Sequence, residues 1–424
     1  YQLEGLSWMQ SLRQLEVGGI LADDMGLGKT LQTLAHVLIE KNAGRLDRPC
    51  MVVMPTSLIP NWLDEAAHFT PQLKVLALYG ASRKKHFDSL SDYDLILTTY
   101  ALLPKDVERL AAQPLHVLVL DEALPGWLGD VKSFNRDYRV PIEKRASEVR
   151  LQHLNGRIKP FLLRRTKEQV ATELPPKTEI IHWVELNEAQ RDVYETMRLA
   201  MDKKVRDEIT RKGVARSQII ILEALLKLRQ VCCDLRLVND AALPARGSTS
   251  GKLDSLMEML EELFEEGRRI LLFSQFTSML ALIEVELKKR GVEYALLTGQ
   301  TRDRRSPVKD FQSGKRQIFL ISLKAGGVGL NLTEADTVIH YDPWWNPATE
   351  NQATDRAYRI GQEKPVFVYK MIARGTVEEK IQHLQKEKSD LAAGVLDGRK
   401  AGDWKLQSDD IEALFAPLPE KIDK

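Results

Sequence analysis

Short apolar runs alternate with amphipathic helical stretches along most of this chain, and this alternation constrains the fold more than any other feature. In the first part of the chain, the spacing predicts strands at 18–21, 50–54, 74–79, 94–100 and 116–122. Strands that are separated by helices pair in parallel and have helices on both faces of the sheet. We therefore predict an α/β fold for this part.

The alternation stops in the middle of the chain and then resumes. Residues 185–237 have apolar side chains at helical spacing and no strand pattern, and residues 242–252 have the Pro, Gly and Ser content of a linker. Five more strands are predicted at 268–276, 293–299, 317–323, 336–342 and 366–372. The pattern thus predicts two similar α/β halves with a helical element between them, followed by a charged amphipathic helix at 378–396.

Composition excludes several classes of protein. The 424 residues carry a net charge of +1, so a nucleic-acid partner would have to be bound by local patches. The three cysteines, Cys50, Cys232 and Cys233, have neither a disulfide framework nor zinc-ligand spacing, which indicates a reducing, intracellular compartment. No apolar run has the length of a membrane span. Because the chain starts at Tyr1, we expect a fragment of a longer protein.

A glycine-rich turn between a predicted strand and a predicted helix is the first sign of chemistry. "ILADDMGLGKT" (20–30) matches the end of the phosphate-loop pattern with Gly28, Lys29 and Thr30, but Asp23 stands where the pattern has its first glycine. Gly26 and Gly28 allow the backbone to curl and to direct amides at phosphate oxygens. Lys29 would then contact the β- and γ-phosphates of ATP, and the Thr30 hydroxyl would bind Mg²⁺.

Two carboxylates at the tip of another strand complement this loop. "LVLDE" (118–122) is an apolar run that ends in Asp121 and Glu122. A phosphate-loop protein needs an acidic strand tip for Mg²⁺, so we assign Asp121 as the metal ligand, through water, and Glu122 as the base that orients the attacking water. Taken alone, such a pair would more often be the acidic start of a helix.

The second half offers arginines for the same chemistry. "NQATDRAYRIGQ" (351–362) places Gln352, Arg356 and Arg359 in one predicted helical segment, where arginines three apart share a face. Arginines of this kind stabilise transition-state charge on a transferred phosphoryl group. Two solvated helix arginines would give the same local pattern.

These motifs together resemble the Swi/Snf-related branch of superfamily-two helicases. The resemblance includes "YQLEGLSWM", "LADDMGLGKT", "VVMPTSL", "LTTY", "PFLLRRTKEQVATELPPK", "LLKLRQVCC", "SLKAGGVGLNLTEADTVIHYDPWWNP" and "DRAYRIGQ", and the end of the chain looks most like bacterial members. It implies two RecA-like parallel-sheet lobes with helical insertions between and beside them. The boundaries we expect are 1–125 for the first lobe, 126–184 for a helical insertion and the rest of that lobe, 185–241 for a second helical insertion, 242–252 for the linker, 253–375 for the second lobe and 376–424 for a helical extension.

The resemblance also implies roles for individual residues. Gln2 is similar to the residue that reads the adenine edge, and Gly327 to a loop of the second lobe that senses nucleotide. The residues that would bind ATP are Gln2, Met25, Gly26, Leu27, Gly28, Lys29, Thr30, Gly327 and Gln352, and those that would act in catalysis are Lys29, Asp121, Glu122, Arg356 and Arg359, with Thr30 and Asp121 on Mg²⁺.

Contacts to a nucleic-acid backbone are expected where hydroxyl residues follow strand ends. Thr56 and Ser57 follow one predicted strand, and Thr98 and Thr99 end another, at the positions where ligands bind open α/β sheets. Lys324 and Asn331 are the candidates in the second half. As single residues, all of these could equally be turn or cap residues.

The resemblance implies a DNA-stimulated ATPase that moves along double-stranded DNA and remodels protein–DNA complexes. The cofactors expected are ATP and Mg²⁺, and the partners are duplex DNA and DNA-bound proteins such as a polymerase. We expect a monomer without a membrane partner, in the bacterial cytoplasm at the nucleoid, or in the nucleus of a eukaryote. Two alternatives stay open: a helicase that separates strands of DNA or RNA, and a catalytically silent scaffold that binds nucleic acid.

The stretch after the acidic pair departs from the family pattern. In similar proteins a helix and a strand follow the pair, whereas here a Pro-Gly turn, Pro125 and Gly126, comes almost at once. A parallel strand needs a crossover of about a dozen residues or more to reach its neighbour. We therefore expect the natural polypeptide to carry a further stretch at this point. A true deletion would instead favour weak hydrolysis and the scaffold alternative.

Overall fold

The computed structural model describes residues 1–121, 135–141, 147–171, 173–213, 216–238, 250–326, 330–344, 347–396 and 408–419. The chain divides into two compact units: the first comprises Tyr1–Glu173, and the second takes nearly all of the rest. Both are α/β units, as predicted. Within the described residues, every helix is too short or too polar to cross a membrane.

The described residues of the first unit form six short strands, and each of their pairings is parallel. They are β1 (Ile20–Leu21), β2 (Cys50–Met54), β3 (Val75–Ala77), β4 (Leu95–Thr99), β5 (Leu118–Leu120) and β6 (Leu162–Leu163). Strands β3, β4, β2 and β5 form a four-stranded sheet in that order, and β1 pairs with β6 in a separate two-stranded sheet. Every residue of β2 and β4 is buried, because helices cover both faces of the central strands.

In the part of the first unit that the structure describes, six α-helices lie between or beside these strands. They are α1 (Gln2–Gln14), α2 (Lys29–Asn42), α3 (Ile59–Phe69), α4 (Leu103–Ala111), α5 (Glu148–Ile158) and α6 (Lys167–Val170). Helices α2 and α3 pack their apolar sides on the sheet through Leu34, Val37, Ile59 and Trp62. The short turn Thr56–Leu58 connects β2 to α3.

The second unit contains a single parallel sheet of six strands. These are β7 (Lys177–Val184), β8 (Ile270–Ser274), β9 (Tyr294–Leu297), β10 (Ile318–Ser322), β11 (Thr337–His340) and β12 (Val366–Ala373), in the order β7-β12-β11-β8-β10-β9. The five strands predicted for the second half are therefore confirmed. Strand β7 was not predicted, because its apolar residues are interrupted by Glu179, His182 and other polar side chains.

The described residues of the second unit form nine α-helices. They are α7 (Glu188–Lys212), α8 (Gln218–Cys233), α9 (Gly251–Glu265), α10 (Thr277–Lys289), α11 (Arg305–Gln312), α12 (Leu323–Gly326), α13 (Pro347–Thr354), α14 (Val377–Leu396) and α15 (Ser408–Leu414). Helices α7 and α8 lie in the segment 185–241, where a helical insertion is expected, and they share a core with α14 and α15. Most of the predicted linker lies outside the described residues, and α9 begins at Gly251.

The boundary between the halves differs from the prediction. We expected the first lobe and its insertion to end near residue 184, but the division lies at Glu173 and Leu174. The reason is β7, which pairs along its whole length with β12 and thereby brings residues 177–184 into the second sheet.

A buried ion pair ties the start of α9 to the start of α14. Lys252 and Glu378 are both fully buried and bonded to each other, and the Lys252 ammonium also donates to the carbonyl oxygens of Tyr341 (3.2 Å) and Met371 (3.1 Å). Burial acts to lower the pKa of Lys252, but Glu378 reverses this and raises it overall. The lysine therefore stays charged inside the core of the second unit.

Removing one partner of this pair should destabilise the second unit. We expect Glu378→Ala to cost about 3–5 kcal/mol, because it leaves a buried ammonium without its counter-charge. The control Glu261→Ala removes an exposed carboxylate and should change stability by about 0.5 kcal/mol or less. Urea unfolding followed by circular dichroism measures both. Equal midpoints for the two variants would contradict this assignment.

Candidate functional site

The loop between β1 and α2 has the backbone of an anion-binding turn. Gly26 (φ 86°) and Gly28 (φ 73°) are in the left-handed region, which favours glycine. Gly28 is also the N-cap of α2, and no side chain caps the first amides of that helix. Uncapped amides at a helix N-terminus carry partial positive charge and bind phosphate readily. The residues predicted to form a phosphate loop therefore form a glycine-rich turn at the start of α2.

Lys29 lies inside this loop. Its ammonium donates to the carbonyl oxygens of Asp23 (2.6 Å) and Asp24 (3.1 Å). Burial lowers the pKa of Lys29, and the nearby Asp23, Asp121 and Asp24 oppose that shift. Phosphate oxygens bound in the loop would take over the contacts that the two carbonyls now make.

Asp23, the departure from the phosphate-loop pattern, is the acid of a buried ion pair. Its side chain is bonded by the guanidinium of Arg165, whose Nε lies 3.0 Å from Asp23 Oδ1. The backbone amide of Arg165 donates to the same oxygen at 3.1 Å. Gln32 of α2 completes the cluster by accepting from Arg165 at 3.0 Å. All three residues are buried, so each charge depends on its partner.

Backbone hydrogen bonds also join the segment that contains Arg165 to the first half of the phosphate loop. Strand β1 pairs with β6, and beyond the strands the amide of Ala22 donates to Leu163 (2.7 Å) and the amide of Asp24 donates to Arg165 (3.0 Å). The amide of Lys167 then donates to the Asp24 carboxylate at 3.1 Å. The segment 162–167 therefore holds the first half of the phosphate loop over its entire length.

The first two residues of the chain lie against the other half of the loop. The Tyr1 hydroxyl donates to the Leu27 carbonyl at 3.1 Å, and the Arg165 guanidinium lies 5.1 Å from the centre of the Tyr1 ring. A Cβ atom at Gly28 would come within 2.6 Å of the Gln2 side-chain nitrogen. Gln2 therefore lies beside the loop between β1 and α2.

The acid at the tip of β5 is held near this loop. Asp121 accepts a hydrogen bond from Trp62 Nε1 at 3.3 Å, and its carbonyl oxygen accepts one from the Tyr100 hydroxyl at 2.5 Å. Burial raises the pKa of the Asp121 carboxyl, against the effects of the Trp62 hydrogen bond and the Lys29 charge. The charges of Lys29 and Asp121 thus influence each other's pKa. Glu122 lies outside the described residues.

Thr30 and Asp121 offer the donors that Mg²⁺ prefers. A hydroxyl and a carboxylate are hard oxygen ligands, and Mg²⁺ usually takes only one or two carboxylates, with substrate phosphates and water as its other ligands. Among the described residues, His, Cys, Asp and Glu nowhere form a group of three or more that could hold a metal by itself. The residues present fit a metal that arrives with a nucleotide.

The arginine segment of the second unit differs from the prediction. Helix α13 ends at Thr354, so Arg356 and Arg359 lie in the turns that follow it and do not share a helix face. Arg356 is buried, whereas Arg359 is half-buried. The prediction of one helix was wrong, because the amides of Arg356 and Arg359 donate to nearer carbonyls than in an α-helix, those of Ala353 and Ala357, both at 3.2 Å. Gln352 remains in α13 and is half-buried.

Gln362 holds these turns in place. Its side-chain nitrogen donates to the carbonyl oxygens of Thr333 (3.0 Å), Ala335 (2.7 Å) and Ala357 (3.1 Å). The amide of Leu332 donates to the Arg356 carbonyl at 3.0 Å. The turns that carry the arginines are thereby fixed to the segment that follows Asn331 within the same unit.

The candidate nucleic-acid contacts are placed unequally. Thr56 is exposed and Ser57 half-buried in the turn after β2, and Asn331 is exposed. Thr98 and Thr99 are buried, and the Thr98 hydroxyl donates to Leu78 at 3.2 Å, so in this structure neither hydroxyl is open to a phosphate. That placement differs from the prediction because β4 is a central strand, covered on both faces. Lys324 lies in α12, but its side chain is not among the described parts of the structure. Gly327 lies outside the described residues.

Four residues with a place in this arrangement were missed from the sequence. Tyr100, Arg165 and Gln362 lie in segments that resemble family motifs and Trp62 lies outside them, and no local pattern separates any of the four from core or surface residues. A weak signal exists only for Arg165, since a pair of arginines follows the apolar residues of β6.

Comparison with known proteins places the whole chain in one family. The SNF2-related domain model matches residues 1–125 and 123–237, and the helicase conserved C-terminal domain model matches 251–361. A Bacillus subtilis protein named as an ATP-dependent helicase/translocase, YwqA, is 35% identical over 98% of this chain and 50% of its own length. The human SWI/SNF-related matrix-associated actin-dependent regulator of chromatin subfamily A member 1 is 34% identical over 90% of this chain and 42% of its own length.

A solved structure is also similar in sequence to nearly the whole of this chain. The Sulfolobus solfataricus SWI2/SNF2 ATPase core in complex with dsDNA is 30% identical over 98% of this chain and 96% of that one, with a TM-score of 0.45. At that score, superposition of the whole chains adds nothing to the argument on fold. The chain spans about half the length, or less, of the curated relatives it matches.

The Asp23–Arg165 pair should control nucleotide binding. We expect Arg165→Met to weaken ADP binding about tenfold or more, because the unpaired Asp23 carboxylate destabilises the loop that presents its amides to phosphate. Arg164→Met, which removes the exposed neighbouring arginine, is the matched control and should bind ADP normally. Arg165→Lys should recover part of the affinity. Titration calorimetry measures binding, and a loss of the same size in both Met variants would refute the role of the pair.

Proposed function

Because the chain belongs to the SNF2-related family of ATP-dependent helicases and translocases, we propose that it moves along double-stranded DNA and remodels protein–DNA complexes. The chain is an ATPase of helicase superfamily two. The observation that carries the proposal is the single site in the first unit that combines an uncapped phosphate loop, Lys29 and the strand-tip acid Asp121.

Each residue of this site would have its own role in phosphoryl transfer. The amides of Gly28, Lys29 and Thr30 would cradle the β-phosphate, with the Lys29 ammonium on the β- and γ-phosphates. Mg²⁺, held by the Thr30 hydroxyl and by Asp121 through water, would neutralise charge on the phosphates. Glu122 would orient the attacking water. Together with Gln2 at the adenine, these residues bind, orient and polarise ATP.

Arginines of the second unit would complete the reaction. We assign Arg356 and Arg359 to the γ-phosphate and Gln352 and Gly327 to nucleotide contacts from that unit. The bonds of Gln362 hold the turns that carry both arginines and would keep them in a fixed position relative to one another. An arginine supplied in this way stabilises charge that develops in the transition state.

The DNA contacts would come from loops that follow strands. Thr56 and Ser57 are accessible to a phosphate backbone after β2, Asn331 is accessible in the second unit, and Lys324 precedes Asn331 by seven residues. Such contacts position a duplex without reading its sequence. Of the named relatives, one is called a helicase/translocase and one a regulator of chromatin, which supports movement along DNA and the remodelling of bound protein.

The wider setting follows from the same proposal. DNA-bound proteins such as a polymerase would be the targets, and the chain would act as a monomer. A bacterial protein of this kind would be found at the nucleoid, and a eukaryotic one in the nucleus. A strand-separating helicase remains the second candidate, because the name of the Bacillus subtilis relative includes both activities.

A DNA-stimulated ATPase assay beside a strand-displacement assay tests the proposal. We expect duplex DNA of any sequence to stimulate hydrolysis, the stimulation to weaken steeply with added salt through counterion release, and no strands to separate. Lys29→Ala and Glu122→Gln should both abolish turnover, but only Lys29→Ala should also weaken ATP binding. Strand displacement would favour the helicase, and stimulation by RNA alone would contradict a DNA translocase. Binding of DNA without any turnover would favour a silent scaffold.

Arg359 should act on the transition state more than on bound ATP. We expect Arg359→Ala to lower kcat by about 10³-fold or more with little loss of ATP affinity, since the contact strengthens as charge develops. The matched control is Arg374→Ala, which removes an arginine of the same unit whose side chain is 55% exposed. Steady-state kinetics with an independent ATP-binding measurement separates the two effects. Lost affinity with unchanged kcat would make Arg359 a ground-state contact only.

A further inference from the structure

Two aromatic side chains connect the acid of the nucleotide site to the segments that follow β2 and β4. We propose that Trp62 and Tyr100 are positioning residues for Asp121, and that through them a DNA backbone bound at the turn Thr56–Leu58 sets the geometry of the metal ligand. This inference rests on the proposed function for its DNA partner. The placement of Asp121 itself depends only on the first unit.

Trp62 orients the side-chain carboxylate of Asp121. Its Nε1 lies 3.3 Å from Asp121 Oδ2, and only 4% of the residue is exposed. The ring packs in the core with Val52, Met54 and Ile59, so it cannot turn without disturbing β2 and α3. A rigid ring with one N–H group can hold a carboxylate oxygen in one direction. A buried indole also needs some acceptor for its N–H, and that need alone does not specify a carboxylate.

Tyr100 holds the backbone of Asp121 in position. Its hydroxyl donates to the Asp121 carbonyl at 2.5 Å, while its amide donates to the carbonyl of Met54, the last residue of β2, at 3.3 Å. The Asp121 amide donates to Val53 at 2.9 Å. The tips of β2, β4 and β5 are therefore joined by hydrogen bonds that converge on Asp121.

Both aromatic residues are close in sequence to surfaces that a phosphate backbone can reach. Trp62 is five residues after Ser57, on the helix that starts directly after the exposed turn. The amide of Leu58 donates to Pro55 at 2.9 Å, which fixes that turn to the end of β2. Because the turn continues into α3 without a break, a contact that moves the turn also moves the Trp62 ring and its hydrogen bond.

Tyr100 gives a second route from a strand end. It follows β4 directly and is half-buried, between the buried Thr99 and the exposed Ala101. The predicted contact role of the two threonines of β4 is thus replaced here by a structural one: they end a buried strand and place Tyr100 over Asp121. Residues that orient a metal ligand without touching the metal typically change metal affinity 10- to 100-fold when they are replaced.

The experiment compares Trp62→Phe with Trp183→Phe in the full chain. Phenylalanine keeps an aromatic ring but loses the N–H donor, and Trp183 is a half-exposed tryptophan of β7 in the second unit, which makes it the matched control. The first measurement is binding of Mn²⁺ to the ADP complex by electron paramagnetic resonance, without DNA. We expect Trp62→Phe to weaken Mn²⁺ binding about tenfold and the control to leave it unchanged. Unchanged Mn²⁺ affinity in Trp62→Phe would reduce Trp62 to a packing residue.

The second measurement adds duplex DNA and records the ratio of stimulated to basal kcat. We expect this ratio to fall several-fold in Trp62→Phe, while DNA affinity by fluorescence anisotropy remains that of the unaltered chain. A normal ratio with weakened Mn²⁺ binding would overturn the coupling but keep the positioning role. If DNA fails to stimulate the unaltered chain, the proposed function fails, and the DNA-free Mn²⁺ measurement still decides the role of Trp62.

Tyr100→Phe is the second variant, in case Trp62→Phe unfolds the first unit. It removes one hydroxyl and no ring, so thermal melting should change little. Weakened Mn²⁺ binding at an unchanged melting temperature supports the role of Tyr100. Loss of stability without a change in Mn²⁺ affinity would refute it.

Discussion

Parallel pairing is the constraint from which the rest of the structure follows. Every strand pairing in the described residues is parallel, so within each sheet the carboxyl ends of all strands meet at one edge. In the first unit this brings the loops after β2, β4 and β5 together, and hydrogen bonds from Trp62 and Tyr100 meet there at Asp121. Lys29 follows β1, which pairs with β6 in the separate two-stranded sheet, and its charge opposes the rise in the pKa of Asp121.

Buried ion pairs fix the loops that parallel pairing brings together. Asp23 with Arg165 in the first unit and Lys252 with Glu378 in the second are both almost completely buried, and both join segments more than a hundred residues apart. Such pairs contribute little net stability, because desolvation offsets attraction. Their effect is geometric: each charge is satisfied in only one arrangement of its segments. In the first unit, that arrangement is the shape of the phosphate loop.

The described strands of the first unit form two separate sheets, and the chain passes from one sheet to the other after Asp121. Strands β5 and β1 each pair on one side only, and none of the described residues between β5 and β6 forms a strand. The SNF2-related domain model also matches in two segments that meet at 123–125. The two-segment match supports the expectation that a further stretch belongs at this point.

Most of the architecture could be predicted from the sequence by itself. The ten predicted strands are all present, because a strand of a parallel sheet is apolar on both faces and its short run is visible locally. The phosphate loop was also predictable, since its glycines and Gly28-Lys29-Thr30 are adjacent in the chain. The exceptions were β6, which has only two residues, and β7, an edge strand with polar positions.

Tertiary structure decided everything that depends on partners distant in the chain. No local pattern predicts that Asp23 needs Arg165, 142 residues away, or that Trp62 donates to Asp121. It also decided which of the predicted nucleic-acid contacts are accessible. Thr98 is near the end of its strand in the sequence, but its hydroxyl is buried in a central strand and donates to Leu78. The turns of Arg356 and Arg359 were missed for the same reason. Sequence periodicity reports local backbone preference, whereas hydrogen-bond partners and burial are set only when the strands and helices pack.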